Sequence, residues 1–409
     1  MTKQEHNFRR GALEGITVVD LSQGWAGPGG TMLLADQGAS VIKVEPIEGD
    51  QARGFFANPP IKGQERGFLA FNRGKRGIAL DLKAPKGKEV LYKLVERCDV
   101  FLHNFRPEVP PRLGIDYEAL QKIRPDLIYV YLGAYGKKGP YAGHRAYDVV
   151  LQSLAGVMDR HDSNGTPMVT GVWVSDCSTM MMLAYAITLA VLAREKYGYG
   201  QQLDTSLFNQ TLYMQLPDMV RTSEELERPS EDDYREKLWD YHTPCKCKDG
   251  KFIVPVAMTN QQWRSLCRVL SLDDMAEDPR FDSPLKRFQD GDLIHKELEK
   301  AFQKKTRDAW IEPLQEADVP HSPVLTKEEV FSHPQVLEND MVVEMAHPVA
   351  GPVKMLGIPF TLSRNPGAIQ RPSPVLGEHS REILFELGYN ESEIKSMQNA
   401  GVVKLMEVS

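Results

Sequence analysis

At 409 residues, 42% hydrophobic and 26% charged, the chain is too long for one ordinary core and is expected to form roughly two or three domains. A formal net charge of −7 argues against nucleic acid as a partner, because a phosphate-tracking protein carries a basic field or stripe. Any anionic ligand must be met by a local basic cluster.

The polar N-terminus, MTKQEHNFRRGALEG, has no apolar signal core, so the expectation is a cytoplasmic protein with neither secretory leader nor membrane anchor. Next come ITVVDL from Ile16, SVIKVE from Ser40, GIALDL from Gly77, DVFLHNF from Asp99 and LIYVYLG from Leu127, which read as buried strands. Between them PKGKEVLYKLVERC puts Val90, Leu91, Leu94 and Val95 on one helical face. Such alternation predicts an α/β fold, a parallel sheet with helices on both faces.

Two features of these connections bear on chemistry. In DLSQGWAGPGGTMLLADQG, glycines after the first strand feed a helix, so backbone amides and a helix N-terminus could meet an anion. The G-x-G-x-x-G spacing is absent, which argues against a dinucleotide site, and a tight βα turn accounts for the glycines equally well. Basic residues recur in two loops, Arg73, Lys75 and Arg76 in FNRGKRGIALDLK, and Arg106 and Arg112 beside Asn104 in NFRPEVPPRLGID. They could neutralise phosphates, and solvated charged turns would read the same.

From Ala146 the pattern turns helical through AYDVVLQSLAGVM, then GVWVSDCSTMMMLAYAITLAVLAREKYGYGQ, then DTSLFNQTLYMQL. The uncharged run from Cys177 to Ala193 nears the length of a membrane span, but its small and hydroxyl residues predict a buried core helix. Asp176 stands at its mouth, where unpaired amides and the dipole stabilise a carboxylate, and alone it reads as an N-cap. Thr222 to Tyr241 reads as an exposed linker or surface helix. A small unit with KDGKFIVPVA as strand and QQWRSLCRVLSL and KELEKAFQKKTRDAWIEPLQEADV as helices follows, then strand-like MVVEMAHPVAGPVKMLGIPFTL and a helix at SREILFELG. The expected boundaries are 1–221, 222–325 and 326–409. Cys98, Cys177, Cys245, Cys247 and Cys267 suggest no disulfide framework, and Cys245 and Cys247 lack a second ligand pair, so no metal site is expected.

In order, LEGITVVDLSQGWAGPGGTMLLADQGASVIKVEPIEGDQARG, FNRGKRGIALDLKAPKGKE, NFRPEVPPRLGIDY, GVWVSDCSTMM, REKYGYGQQLDTSLF and VLGEHSREIL resemble the class III CoA-transferase family over nearly the whole chain. That family includes formyl-CoA transferase and carnitine CoA-transferase. The resemblance implies a Rossmann-like large domain with a parallel sheet built from both chain ends, a smaller α+β domain, and an interlocked homodimer. It implies that Asp176 is a nucleophile which forms an aspartyl mixed anhydride and then an aspartyl-CoA thioester, handing CoA from an acyl-CoA donor to a carboxylic acid acceptor. Coenzyme A enters as substrate, with no tightly bound cofactor.

By the same resemblance Gln23, Gly24, Trp25 and Ala26 meet the thioester and pantetheine end. Asn72, Lys75, Arg76, Asn104, Phe105 and Arg112 hold CoA towards its nucleotide end, and Trp25, Tyr135 and Tyr147 form the acyl pocket. The helix N-terminus is expected to keep Asp176 ionised and to offer amides to an oxyanion, with the apolar helix keeping the site dry. Trp25 replaces a glutamine of formyl-CoA transferase, which argues for a larger apolar wall than a formyl or oxalyl group needs. That enzyme's glycine-rich loop has no counterpart between Thr222 and Asp249. The related α-methylacyl-CoA racemases place a histidine where Tyr147 stands, and a phenol of pKa about 10 is a poor base near neutrality. His144, three residues away, is not expected to substitute for it. A non-catalytic CoA-binding protein, with Asp176 only capping its helix, is the remaining alternative.

Overall fold

The first apolar run, Thr17–Asp20, forms strand β1 in the middle of a seven-stranded sheet. The computed structural model describes residues 11–55, 60–159, 165–227 and 241–406. On one side of β1 lie β2 (Ser40–Glu45) and β3 (Arg76–Leu80); on the other lie β4 (Val100–His103), β5 (Ile128–Gly133) and β6 (Gln202–Ser206). All six run parallel in the order 3-2-1-4-5-6 of a doubly wound sheet. Strands covered on both faces favour apolar residues, which is why the first five read as largely apolar runs, interrupted by buried charges such as Asp20 and Lys43. The sixth is an edge strand, QLDTS, half exposed and polar, and its sequence merged with the helix that follows.

Helix α1 (Ala26–Asp36) follows β1, and α2 (Pro85–Val95) follows β3. The predicted face of α2 is buried: Val90, Leu91, Leu94 and Val95 pack with Val19, Ile78 and Phe101 on one face of the sheet. Beyond β5 come α3 (Asp148–Leu154), α4 (Val174–Tyr197) and α5 (Leu207–Tyr213). On the opposite sheet face Leu34 and Ala35 of α1 and Leu183, Ile187, Ala190 and Val191 of α4 cover Val18, Val100, Leu102 and Val130. A Cβ on Gly29 would lie 2.9 Å from Met180, and one on Gly30 would lie 2.7 Å from Leu183. Two first-turn glycines thus serve close helix packing, not ligand approach. Helix α4 is long and apolar enough to cross a membrane, yet it packs on the sheet along one face only. Met181, Tyr185, Leu189 and Leu192 form an exposed stripe on it, where a fully buried core helix was expected.

Contacts divide the chain into Met1–Met219 with Glu338–Ser409, and Val220–Leu337. The smaller unit has its own antiparallel sheet of β7 (Cys245–Lys246), β8 (Phe252–Pro255) and β9 (His321–Pro323), with α6 (Asn260–Leu270), α7 (Gly291–Phe302) and α8 (Asp308–Glu316). Trp263, Phe281, Phe302 and Trp310 centre its core. It extends past residue 325, where Lys251 and Arg307 both hold Glu329 at 3.6 Å. Residues 228–240 of the expected linker lie outside the described residues.

The C-terminal segment supplies the hairpin β10 (Val342–His347) and β11 (Gly351–Leu356), then α9 (Ser380–Glu386), α10 (Glu391–Asn399) and β12 (Val403–Lys404). Strand β12 pairs antiparallel with β3, so the sheet of the larger unit is parallel in six strands and closed at one edge by a seventh. Helix α10 and β12 were not foreseen.

Candidate active site

Strand order reverses direction at β1 and β4, and open α/β sheets bind ligands beyond the carboxyl ends of their strands at that point. A cavity of about 690 Å³ lies there, lined by Gln23–Ala26 after β1, Asn104–Pro107 after β4 and Tyr131–Ala134 at the end of β5. Phe55, Ala142, His144–Asp148, Trp173 and Asp176 complete much of its wall. Of the expected site residues, Gln23, Gly24, Trp25, Ala26, Asn104, Phe105, Tyr147 and Asp176 converge there.

The first turn is held from below. Gln23 N–H donates to Asn104 Oδ1 at 3.0 Å, and Asn104 Nδ2 donates to Gln23 O at 2.7 Å, so this amide joins the loops after β1 and β4. Gly24, with φ +86°, donates its N–H to Asp50 Oδ1 at 3.1 Å, a backbone that a side chain would strain. Asp50 is paired with Lys43 at 2.8 Å and Asp20 with Lys75 at 3.1 Å, all four side chains fully buried.

That arrangement corrects part of the expected nucleotide site. Lys75 Nζ also donates to Pro28 O at 2.8 Å and to Asn72 Oδ1 at 2.9 Å, so both residues are consumed beneath α1. Burial depresses Lys75 to about 8 against the pull of Asp20. Arg76 is spent on Glu382 at 2.7 Å and Glu386 at 2.5 Å, fastening α9 to the start of β3, and Arg73 is spent on Asp36 at 2.7 Å. Arg112 lies exposed on the helical turn Val109–Leu113, and Tyr135 packs on Tyr141 and Phe208 with ring centroids 5.2 and 6.1 Å away; neither lines the cavity. The arginines that do line it are Arg106 and Arg145.

Asp176 is the third residue of α4, not its cap. Trp25 and Trp173 occupy the N-cap positions of α1 and α4 without side-chain capping, and their rings meet edge to face at 5.3 Å. The open amides of α4 are already taken. Val174 N–H donates to Val172 O at 2.9 Å and Cys177 N–H to Trp173 O at 2.8 Å. Ser175 and Asp176 N–H donate to Asp148 Oδ2 at 2.8 and 3.0 Å. None of these remains for an oxyanion. The Asp176 carboxylate instead feels the Ala26 N–H that opens α1, whose pull favours the anion. Burial first, then the Asp148 charge, push Asp176 up to about 7, outweighing that pull, so the helix terminus does not hold it fully ionised. Burial, Asp176 and Asp148 also raise the adjacent Cys177 thiol, which disfavours its thiolate.

An aromatic wall flanks the carboxylate. Trp25 lies 5.7 Å from Phe71 and 6.3 Å from Phe55, and Phe55 lies 6.2 Å from Tyr147, between ring centroids. His144 lines the cavity as well, its ring 5.1 Å from Tyr141. Phe55, Asp148 and Arg145 were not singled out in the sequence, since each reaches the site through folding; Trp173 stood in the GVWVSDCSTMM block, but nothing there showed that its ring would meet Trp25. Among the described residues, no group of His, Cys, Asp and Glu is placed to hold a metal ion.

The chain belongs to CoA-transferase family III, whose model matches residues 13–380, and it is an enzyme of that class. Succinyl-CoA:glutarate CoA-transferase of Homo sapiens is 33% identical over 406 residues, covering 96% of this chain and 90% of the human protein. Formyl-CoA:oxalate CoA-transferase of Streptomyces coelicolor is 31% identical, covering 96% and 99% of the two chains. A solved CaiB/BaiF family protein from Brucella suis superposes with a TM-score of 0.81 at 29% identity, over 93% of this chain and 100% of that one.

Proposed function

We propose that this enzyme moves CoA from an acyl-CoA thioester to a carboxylic acid with Asp176 as covalent nucleophile. The observation that carries the reading is a buried carboxylate on the wall of the cavity at the sheet's switch point, beside the Gln23–Ala26 turn. An Asp176 oxygen attacks the thioester carbonyl, the C–S bond breaks, and CoA thiolate leaves an aspartyl mixed anhydride. The thiolate attacks the aspartyl carbonyl, releasing the donor acid and leaving aspartyl-CoA thioester. The acceptor carboxylate displaces CoA to form a second anhydride, whose acyl carbonyl the thiolate then attacks. Acyl-CoA departs and Asp176 is restored.

Gln23–Ala26 would meet the thioester and pantetheine, Phe105 the pantetheine flank, and Arg106 with exposed Arg112 the phosphates. Trp25, Phe55, Trp173 and Tyr147 would exclude water from the hydrolysable intermediates. The names of both enzyme relatives include a dicarboxylic acid, and Arg145 gives this cavity a guanidinium for a second carboxylate, so a dicarboxylic acceptor is the proposed class. The apolar stripe of α4 supports a homodimer.

Incubation with acyl-CoA, then hydroxylamine, should convert Asp176 to a hydroxamate detectable in its peptide by mass spectrometry. Turnover with an unlabelled Asp176 would refute the assignment. His144 on the cavity wall makes a proton-transfer reading worth one control: deuterium uptake into a 2-methylacyl-CoA without acceptor acid, expected to be absent.

A further inference from the structure

Helix α4 begins with no cap of its own, and Asp148, 28 residues earlier in the chain than Asp176, supplies one. The Asp148 side chain is buried at the start of α3. Its Oδ2 accepts from Ser175 N–H at 2.8 Å and Asp176 N–H at 3.0 Å, while Oδ1 accepts a short hydrogen bond from Gln152 Nε2. Gln152 Oε1 in turn accepts from Thr170 N–H at 3.2 Å, while the Thr170 hydroxyl donates to Val172 O at 2.6 Å. Ser175 Oγ donates to Asp148 O at 3.3 Å. Three consecutive parts of the chain, α3, the segment leading to α4, and α4 itself, are tied through this one carboxylate.

We propose that Asp148 is a positioning residue for Asp176, capping its helix from outside and holding a second negative charge beside the nucleophile. The two effects act together. Two amides that could have stabilised the Asp176 anion are spent on Asp148, and its charge opposes that anion directly. A more basic carboxylate is a better nucleophile. Acylation of Asp176 also removes its charge, so the repulsion that burdens the free enzyme is relieved in the anhydride and the aspartyl thioester. Asp148 therefore favours forward acylation without touching substrate.

Other groups face Asp176 too: Cys177 on its own helix, and Arg106, Tyr131, His144, Arg145 and Tyr147 around the cavity, while the first turn of α1 offers only backbone. Among them Asp148 alone accepts the Asp176 amide and adds a carboxylate charge.

This inference rests on Asp176 being the nucleophile, and its test separates the two. Carbodiimide modifies protonated carboxyls, so labelling of the Asp176 peptide across a pH series reads its protonation with no turnover. The half-point should lie near 7 in the unaltered protein. In Asp148→Asn the amide oxygen can still accept from Ser175 and Asp176 but carries no charge, while the amide nitrogen forfeits the Gln152 contact, and the half-point should fall by about one unit. The pH profile of kcat/KM should fall with it, and kcat at pH 8 should drop severalfold, up to the tenfold ceiling that one pKa unit of lost basicity sets. An unchanged labelling half-point would overturn the inference. A lowered half-point with exchange that survives Asp176→Asn would instead refute Asp176 as nucleophile and leave its coupling to Asp148 standing. Asp148→Ala, which removes the cap as well, should lose more thermal stability than Asn, which forfeits only the Gln152 contact; equal losses in both variants would reduce Asp148 to a structural group.

Discussion

Between about pH 3.8 and 7 the folded chain retains a proton on Asp176 that the unfolded chain releases. A folded-state pKa raised above its unfolded value makes stability fall as pH rises through that window. At pH 8 the ionised side chain is thus a burden on the fold, and Asp176→Asn should raise the melting temperature by ~5 °C. The advantage should shrink as pH falls and vanish only below about pH 3.8, where Asp176 is protonated in the unfolded chain as well. A simple helix cap predicts the opposite sign, a loss of up to about 1 kcal/mol. Lys75 provides a second contrast. Lys75→Met strands a buried Asp20 and should cost about 3–5 kcal/mol in urea unfolding, whereas Arg106→Gln should raise KM for acyl-CoA and leave unfolding unchanged. The basic residues of the first loop looked like ligand groups because a sequence displays charge but not its partner. Asp20 lies 55 residues from Lys75, and Glu382 lies 306 from Arg76. Asp176 and Asn104 were legible for the converse reason: each follows a recognisable start or end of an element.

Helices α1 and α4 aim their N-termini at the same point, and the contact between them has no room to spare. Gly30→Val would put branched carbon into Leu183, which is 1% exposed and held by the sheet beneath it. We expect a stability loss of about 1–3 kcal/mol, as for overpacking elsewhere. A fall in kcat larger than that in the more distant Gly74→Ala should accompany it, because α1 also carries the Ala26 amide whose pull favours the Asp176 anion. Steady-state kinetics and thermal melts on the two variants check this. At this scale the buried parallel strands were readable as apolar runs, since both faces are covered. Strand β6 and β12 were not: one is polar and at an edge, and the other contributes two residues. The glycines of the first turn were visible but their use was not, because Met180 and Leu183 come from a helix about 150 residues away.

The stripe Met181, Tyr185, Leu189 and Leu192 repeats at helical spacing on an exposed face of α4 that none of the described residues of its own unit covers. Light scattering should give about 92 kDa, twice the 46.1 kDa chain, and Tyr185→Glu with Leu189→Glu should lower that mass or the yield of folded protein. A monomer with all four residues intact would remove the dimer from the proposal. The exposure of that stripe was not legible in the sequence, because a fully buried helix and a half-covered one share one apolar composition. Across the whole catalytic cycle, the claim on which the account turns is that Asp176 exchanges an oxygen with the acceptor acid. Turnover with acceptor labelled in its carboxylate by oxygen-18 should transfer label into the Asp176 side chain, and the peptide that contains it should grow heavier. Complete CoA exchange with no label in that peptide would contradict the account.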